Sequence, residues 1–158
     1  MDKKPSATRR QMLATAGGLG LVLFVRPAQA QLQANPAAMK MAIRKVVGEA
    51  TMTKGKVHLD VPPLSENGNT VAMSVSVDSP MTPADYVKAI HIFTEKNPQP
   101  NVISIRLGPR AGKASISTRM RLADTQVVTA IAELSDGSFW FDTGNVVITL
   151  GACLEDLI

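Results

Sequence analysis

The chain has one cysteine, two histidines, one tryptophan and only 4% aromatic residues in 158 positions. A single cysteine excludes an internal disulfide framework. The two histidines, His58 and His91, have no second histidine or cysteine at the spacing of metal ligands, which argues for structural or surface roles. No glycine-rich phosphate loop, nucleophile elbow or Cys-x-x-Cys is present. No apolar run reaches the about 18 residues that a spanning helix needs, so an integral membrane protein is not expected. Residues 1–30 hold five Lys/Arg and one acidic residue, and the remaining chain holds twelve of each sign. The basic character therefore belongs to the N-terminus. A neutral body carries no electrostatic footprint for nucleic acid.

The chain does have a hydrophobic share of 45%, enough for one folded domain. Its first thirty residues read as a cleaved export signal. A basic segment ends in Thr8-Arg9-Arg10-Gln11-Met12-Leu13. A weakly apolar stretch with Gly17, Gly18 and Gly20 comes next, and then the small-residue site Ala28-Gln29-Ala30. Paired arginines before a weakly apolar core point to the twin-arginine route, with cleavage after Ala30 and a periplasmic destination. An ordinary secretory signal with adjacent arginines is the alternative. No cysteine lies in residues 1–30 for a lipoprotein anchor, and Cys153 is misplaced for prenylation, so no membrane attachment is expected of the mature form.

After the signal, residues 31–54 are expected to form a helix and a linker. Asn35-Pro36 is a helix start, and Met39, Ile43, Val46, Val47 and Ala50 recur at helical spacing. Residues 55–150 read as short strands: 56–60, 70–77, 86–93, 102–107, 114–121, 127–134, 138–141 and 146–150. Turn clusters separate them, among them Asp136-Gly137 and Asp142-Thr143-Gly144. Val71, Met73, Val75 and Val77 alternate with small or polar residues, as one buried face requires. The expected fold is all-β: an immunoglobulin-like antiparallel β-sandwich preceded by one helix.

Chemistry is sparse. Six methionines remain after residue 30 and are read as core filling rather than a copper site. Arg119 and Arg121 share a face of one expected strand, with Arg110 and Lys113 in the preceding loop; a solvated sheet face is preferred to an anion site. That face and strand 86–93 are the candidate contact surfaces for a partner. Residues 151–158 form an arm that carries Cys153 behind Gly151 and Ala152. A lone cysteine in an exported chain is a free reactive thiol, an intermolecular disulfide partner, or a buried inert residue.

The segments Glu66-Asn67-Gly68-Asn69-Thr70-Val71, Ser79-Pro80-Met81-Thr82, Tyr86-Val87-Lys88-Ala89-Ile90-His91-Ile92-Phe93 and Lys96-Asn97-Pro98-Gln99-Pro100 together resemble the SoxY family of sulfur-oxidation carriers. So do Ser117-Thr118-Arg119-Met120-Arg121-Leu122-Ala123, Glu133-Leu134-Ser135-Asp136-Gly137-Ser138 and Val147-Ile148-Thr149-Leu150-Gly151-Ala152-Cys153. The resemblance implies a non-enzymatic periplasmic carrier with no catalytic residues, cofactor or metal of its own. It implies that Cys153 holds thiosulfate-derived adducts, persulfides among them, covalently. A SoxZ-like sandwich subunit, exported alongside, is the implied heterodimer partner. A haem enzyme, a hydrolase and a sulfane-oxidising enzyme of the Sox system are implied to act on the loaded thiol.

The arm departs from the family's usual Gly-Gly-Cys-Gly-Gly ending. Ala152 replaces one glycine, and Leu154-Glu155-Asp156-Leu157-Ile158 come after the cysteine. Bulky Leu154, Leu157 and Ile158 are expected to pack down, either on this domain or on the partner, and Glu155 and Asp156 to disfavour the thiolate and repel anionic substrates. Two other functions compete. One is a sandwich adaptor whose Cys153 makes a disulfide with a partner subunit. The other is a thiol peroxidase, which needs a base or cation near Cys153 in space.

Overall fold

The structure is a computed structural model, and it describes residues 35–151. These begin with helix α1, Pro36–Val47. The Asn35 side chain accepts a hydrogen bond from the Ala38 amide at 2.9 Å, and Pro36 occupies the first turn. The helix stops at Gly48, whose φ of 65° is left-handed and whose N–H bonds the Arg44 carbonyl at 2.8 Å. At twelve residues it is shorter than the periodicity through Ala50 predicts, because Gly48 ends it first.

Nine strands come after the helix: β1 Met52–Lys54, β2 Val57–Asp60, β3 Leu64–Asn67, β4 Val71–Val77, β5 Val87–Thr94, β6 Asn101–Arg106, β7 Ser115–Met120, β8 Gln126–Leu134 and β9 Phe139–Leu150. The large sheet runs β1-β9-β8-β5-β6, with β3 also on β9. The small sheet runs β2-β4-β7. The long ladders β5–β8, β8–β9, β5–β6 and β4–β7 are antiparallel. The sandwich is therefore as expected, apart from two short strands that sequence alone did not show. β1 lies in what reads as linker, β3 runs into the expected turn cluster at Glu66-Asn67, and both pair parallel to β9.

The main core lies between the sheets. Val71, Met73, Val75 and Val77 of β4 face Ile90, Ile92, Val128, Ala130, Ala132, Val146 and Ile148 of the large sheet. The outer face of the large sheet has a second, smaller core. There α1 brings Met39 and Val47 onto Phe93, Ile131 and Phe139. This covers only the first half of β9, since Phe139 and Phe141 meet the helix cluster and Val147 stays 40% exposed.

The expected break at Asp142-Thr143-Gly144 does not occur, and β9 runs through it. These residues serve a crossing instead of a turn. The Asp142 carboxylate accepts the Leu59 amide at 3.1 Å. A side chain at Gly144 would run into Val61, which crosses over it on the way from β2 to β3. The Asp136-Gly137 turn does form. Gly137 has φ 82°, and the Asp136 carboxylate takes the Ser138 amide at 2.8 Å.

Candidate functional site at the root of the C-terminal arm

β9 delivers the chain to Gly151, the last described residue. Ala152 and Cys153 lie outside the described residues, as do residues 1–34 with the expected signal and cleavage site. The structure therefore defines the ground from which the chain continues to Cys153.

That ground is fastened on several sides. β3 pairs with the end of β9, Leu64 opposite Val147 and Asn67 opposite Leu150. The Thr149 hydroxyl donates to the Glu66 carbonyl at 3.0 Å. From the β7–β8 loop, the Thr125 hydroxyl accepts the Ile148 amide at 2.9 Å and donates to the Ile148 carbonyl at 3.3 Å. One side chain thus replaces a backbone partner just before β8 begins.

The same loop passes directly over Gly151. A Cβ at this position would collide with the Ala123 carbonyl oxygen. Gly151 is buried, and its small size answers a close backbone approach as well as any need for flexibility. Ala123 has little freedom to yield. Its amide donates to the Asn97 side-chain oxygen at 3.0 Å, and the Leu122 amide donates to the Gly68 carbonyl at 2.8 Å. Asn97 also receives Gln126 Nε2 at 3.0 Å and donates to the Arg121 carbonyl at 2.8 Å. Asn97, read in sequence only as part of a turn, is the hub that holds the loop in place. A Lys-Asn-Pro cluster signals a turn, and only the fold shows what the amide reaches.

A charged pair lies beside the root. Lys96 Nζ donates to Asp124 Oδ2 at 2.7 Å, and the Thr125 amide donates to Asp124 Oδ1 at 2.6 Å. The hydrogen bond from Lys96 is the main reason that the Asp124 carboxyl sits below its ordinary range. Lys96 is already committed to this carboxylate, so the pair adds little net charge to the arm's root.

The other residues singled out in sequence do not converge here. Arg119 is exposed on β7 and lines a shallow depression with Ala72, Ser74 and Ser117. Arg121 lies just past the end of β7, with buried Met120 between the two arginines. Arg110 and Lys113 are exposed in the loop before β7. Strand β5 is central, paired with β8 and β6 on its two sides, so it offers no free edge to a partner. His58 reaches Asp78 at 2.9 Å on the surface, and His91 reaches the Ser104 hydroxyl at 2.8 Å. Among the described residues, no group of three or more His, Cys, Asp or Glu is placed to hold a metal ion.

His91 gives a pH prediction. Burial lowers its pKa from the ordinary 6.5; Glu133 opposes this shift and Arg106 adds to it. The unfolded chain thus takes up a proton before the folded one does. The contribution to stability is complete above pH 6.5 and is lost as pH falls from there toward the lowered folded value. Urea midpoints measured at pH 7.5 and 5 should fall less in His91→Gln than in the native chain. An equal fall would show that His91 is not the group responsible.

Comparison with known proteins agrees with this geometry. The family model described as sulfur oxidation protein SoxY matches residues 43–153. The sulfur carrier protein SoxY from Chlorobium limicola f thiosulfatophilum is 26% identical; the match covers 73% of this chain and all of that one, with a TM-score of 0.62. A superoxide reductase (neelaredoxin) from Ignicoccus hospitalis is 14% identical over 60% of this chain and 80% of its own, TM-score 0.54. A putative superoxide reductase from Thermotoga maritima is 14% identical over 63% and 93%, TM-score 0.52. The two reductases share the fold alone. No curated protein matches the chain.

Proposed function

The chain belongs to the sulfur oxidation protein SoxY family, and on that premise we propose that it is a periplasmic sulfur carrier that holds its cargo covalently on Cys153. The observation that carries this reading is the extent of the match. It runs up to Cys153, the chain's only cysteine, three residues beyond Leu150, the end of a strand fastened to the sandwich. A thiolate is a good nucleophile toward sulfur and a good leaving group from it.

Loading joins the Cys153 thiolate to the sulfane sulfur of thiosulfate. An S–S bond forms, and two electrons leave to a haem enzyme of the system. Water then attacks the terminal sulfone sulfur under a partner hydrolase. Sulfate departs, and the bond electrons stay on a persulfide at Cys153. The sandwich supplies no catalytic group in this scheme. It is the fixed handle, and a SoxZ-like sandwich subunit is its partner. The Arg9-Arg10 signal carries the folded chain out through the twin-arginine route, with cleavage after Ala30.

The test is an intact mass of the protein from cells grown on thiosulfate, before and after reduction, beside Cys153→Ser. One or more added sulfur atoms, removed by reduction and absent from the variant, are expected. A bare thiol under all sulfur conditions would overturn the carrier reading. So would mass found only as a disulfide with another chain, which is the adaptor's signature.

A further inference from the structure

Helix α1 covers Phe93 and Ile131 on the outer face of the large sheet and leaves the other end of β5 open. There Glu133 of β8, Ala89 of β5 and Arg106 of β6 stand side by side in one row of register partners. Neighbouring strands lie about 4.8 Å apart, so the backbones that carry the two charges are roughly 10 Å from each other. The residue between them is alanine, whose methyl leaves the middle of the row low. His91 lies two residues along β5, and a register shift between Val87 and Ala89 lets Lys88 join the same face. The result is an open depression of about 410 Å³, bordered by Tyr86, Lys88, His91, Arg106 and Glu133, with Ala89 at its floor.

Its charges are unevenly matched. Lys88 Nζ reaches Glu133 Oε1 at 3.4 Å, so that carboxylate already has a cation against it. Arg106 is exposed at the sheet's edge and forms no ion pair among the described residues. A guanidinium does not shed its proton, so two cations against one carboxylate leave the depression positive. The charge is felt at half-buried His91, whose pKa is lowered chiefly by desolvation and further by Arg106, against the pull of Glu133. The imidazole is also held in place. The Ser104 hydroxyl donates to Asn101 Oδ1 at 3.1 Å and lies 2.8 Å from His91 Nδ1. It therefore accepts the Nδ1–H and leaves Nε2 as the nitrogen that titrates.

We propose that this depression binds a small tetrahedral oxyanion of the sulfate kind, anchored by the Arg106 guanidinium and flanked by Lys88 and His91. Arg106 offers a fork of N–H donors. Lys88 keeps donors beyond the one given to Glu133, and a protonated Nε2 adds another. Donors that come from β6 and from two positions of β5 suit an anion with oxygens on several sides. A carboxylate has two oxygens in one plane and suits the guanidinium alone. Cys153 takes no part, so this site and the carrier reading stand or fall separately.

Binding and protonation are linked here. An anion that neutralises Arg106 must raise the pKa of His91, and protonated His91 must in turn hold the anion more tightly. The experiment is an NMR pH titration of the His91 ring in the full chain, in chloride, acetate or sulfate at equal ionic strength. His58, on the small sheet, is the internal reference. Sulfate alone is expected to move the His91 titration upward, and the move should saturate with sulfate concentration. In the native chain the Arg106 Nε–H signal should follow the same saturation curve, so a variant that fails to fold does not decide the result. Arg106→Gln is expected to weaken sulfate binding about tenfold, the worth of one charge-assisted hydrogen bond, and Arg106→Lys by less. A His91 shift that is equal in the three salts, or that never saturates, would overturn the site, since screening alone would account for it. A saturable shift that survives in Arg106→Gln would overturn the anchor. Acetate as effective as sulfate would overturn the tetrahedral ligand in favour of a carboxylate.

Discussion

Replacing Phe93 with alanine is expected to cost about 3–5 kcal/mol of unfolding free energy, the usual range for a buried phenylalanine. Phe93 is fully buried and sits in β5 between Asn101 of β6 and Thr129 of β8. Its ring belongs to the outer core, with Met39, Val47, Ile131 and Phe139. Truncation leaves a hole that cannot close from the sheet side, because both neighbouring strands are held by their ladders. It can close only if α1 shifts inward, and the helix is pinned at its start by the bond from the Asn35 amide to the Glu95 carbonyl at 3.0 Å. A domain of this size is stable by about 5–15 kcal/mol, so the loss removes a large part of the total. A urea titration followed by circular dichroism measures it. Met41, 62% exposed on the same helix, is the control, and Met41→Ala should stay within about 0.5 kcal/mol of the native chain. A similar midpoint for Phe93→Ala and Met41→Ala would mean that α1 does not pack on the sheet as described.

Much of this architecture is legible in the sequence, for stated physical reasons. The strict alternation from Val71 to Val77 marks a strand with one dry face, and its burial obeys that pattern residue by residue. Asn35-Pro36 marks the helix start because a side-chain cap and a fixed φ both favour it. What sequence reading misses are short segments whose conformation depends on a distant partner. β1 and β3 have three and four residues, and each exists because it pairs with β9. Asp142 and Gly144 read as turn residues by local propensity. Tertiary contacts override this: Asp142 serves the Leu59 amide, and Gly144 makes room for Val61. At the candidate site, Cys153 and Gly151 stand out by rarity and position. Asn97, Thr125 and Ala123 do not, because their roles are hydrogen bonds and a close approach between residues 23 or more apart in the chain.

Gly151→Ala tests whether the root of the arm is as tight as the structure makes it. Alanine is expected to destabilise the chain by about 1–3 kcal/mol, the range for forcing an atom into a filled space. The cost comes from the collision of its Cβ with the Ala123 carbonyl. A flexible side chain would swing aside, but this obstacle is backbone. The Asn97 amide fastens it on one side, and the Leu122–Gly68 bond fastens it on the other. The strain has one outlet: the end of β9 lifts away, breaking the Thr149–Glu66 bond and loosening Thr125 from Ile148. Hydrogen exchange at the Ile148 amide should then speed up, while amides in the centre of β8 keep their protection. Gly108→Ala is the matched control, since a Cβ there meets nothing within 4 Å and the backbone is not left-handed. It should be nearly neutral. If Gly151→Ala also proved neutral, with Ile148 exchange unchanged, the glycine would be serving flexibility alone and the β7–β8 loop would not be a fixed lid over the root. If destabilisation came with faster exchange confined to the end of β9, the position of Gly151, from which the chain continues to Cys153, would be set by the Ala123 carbonyl.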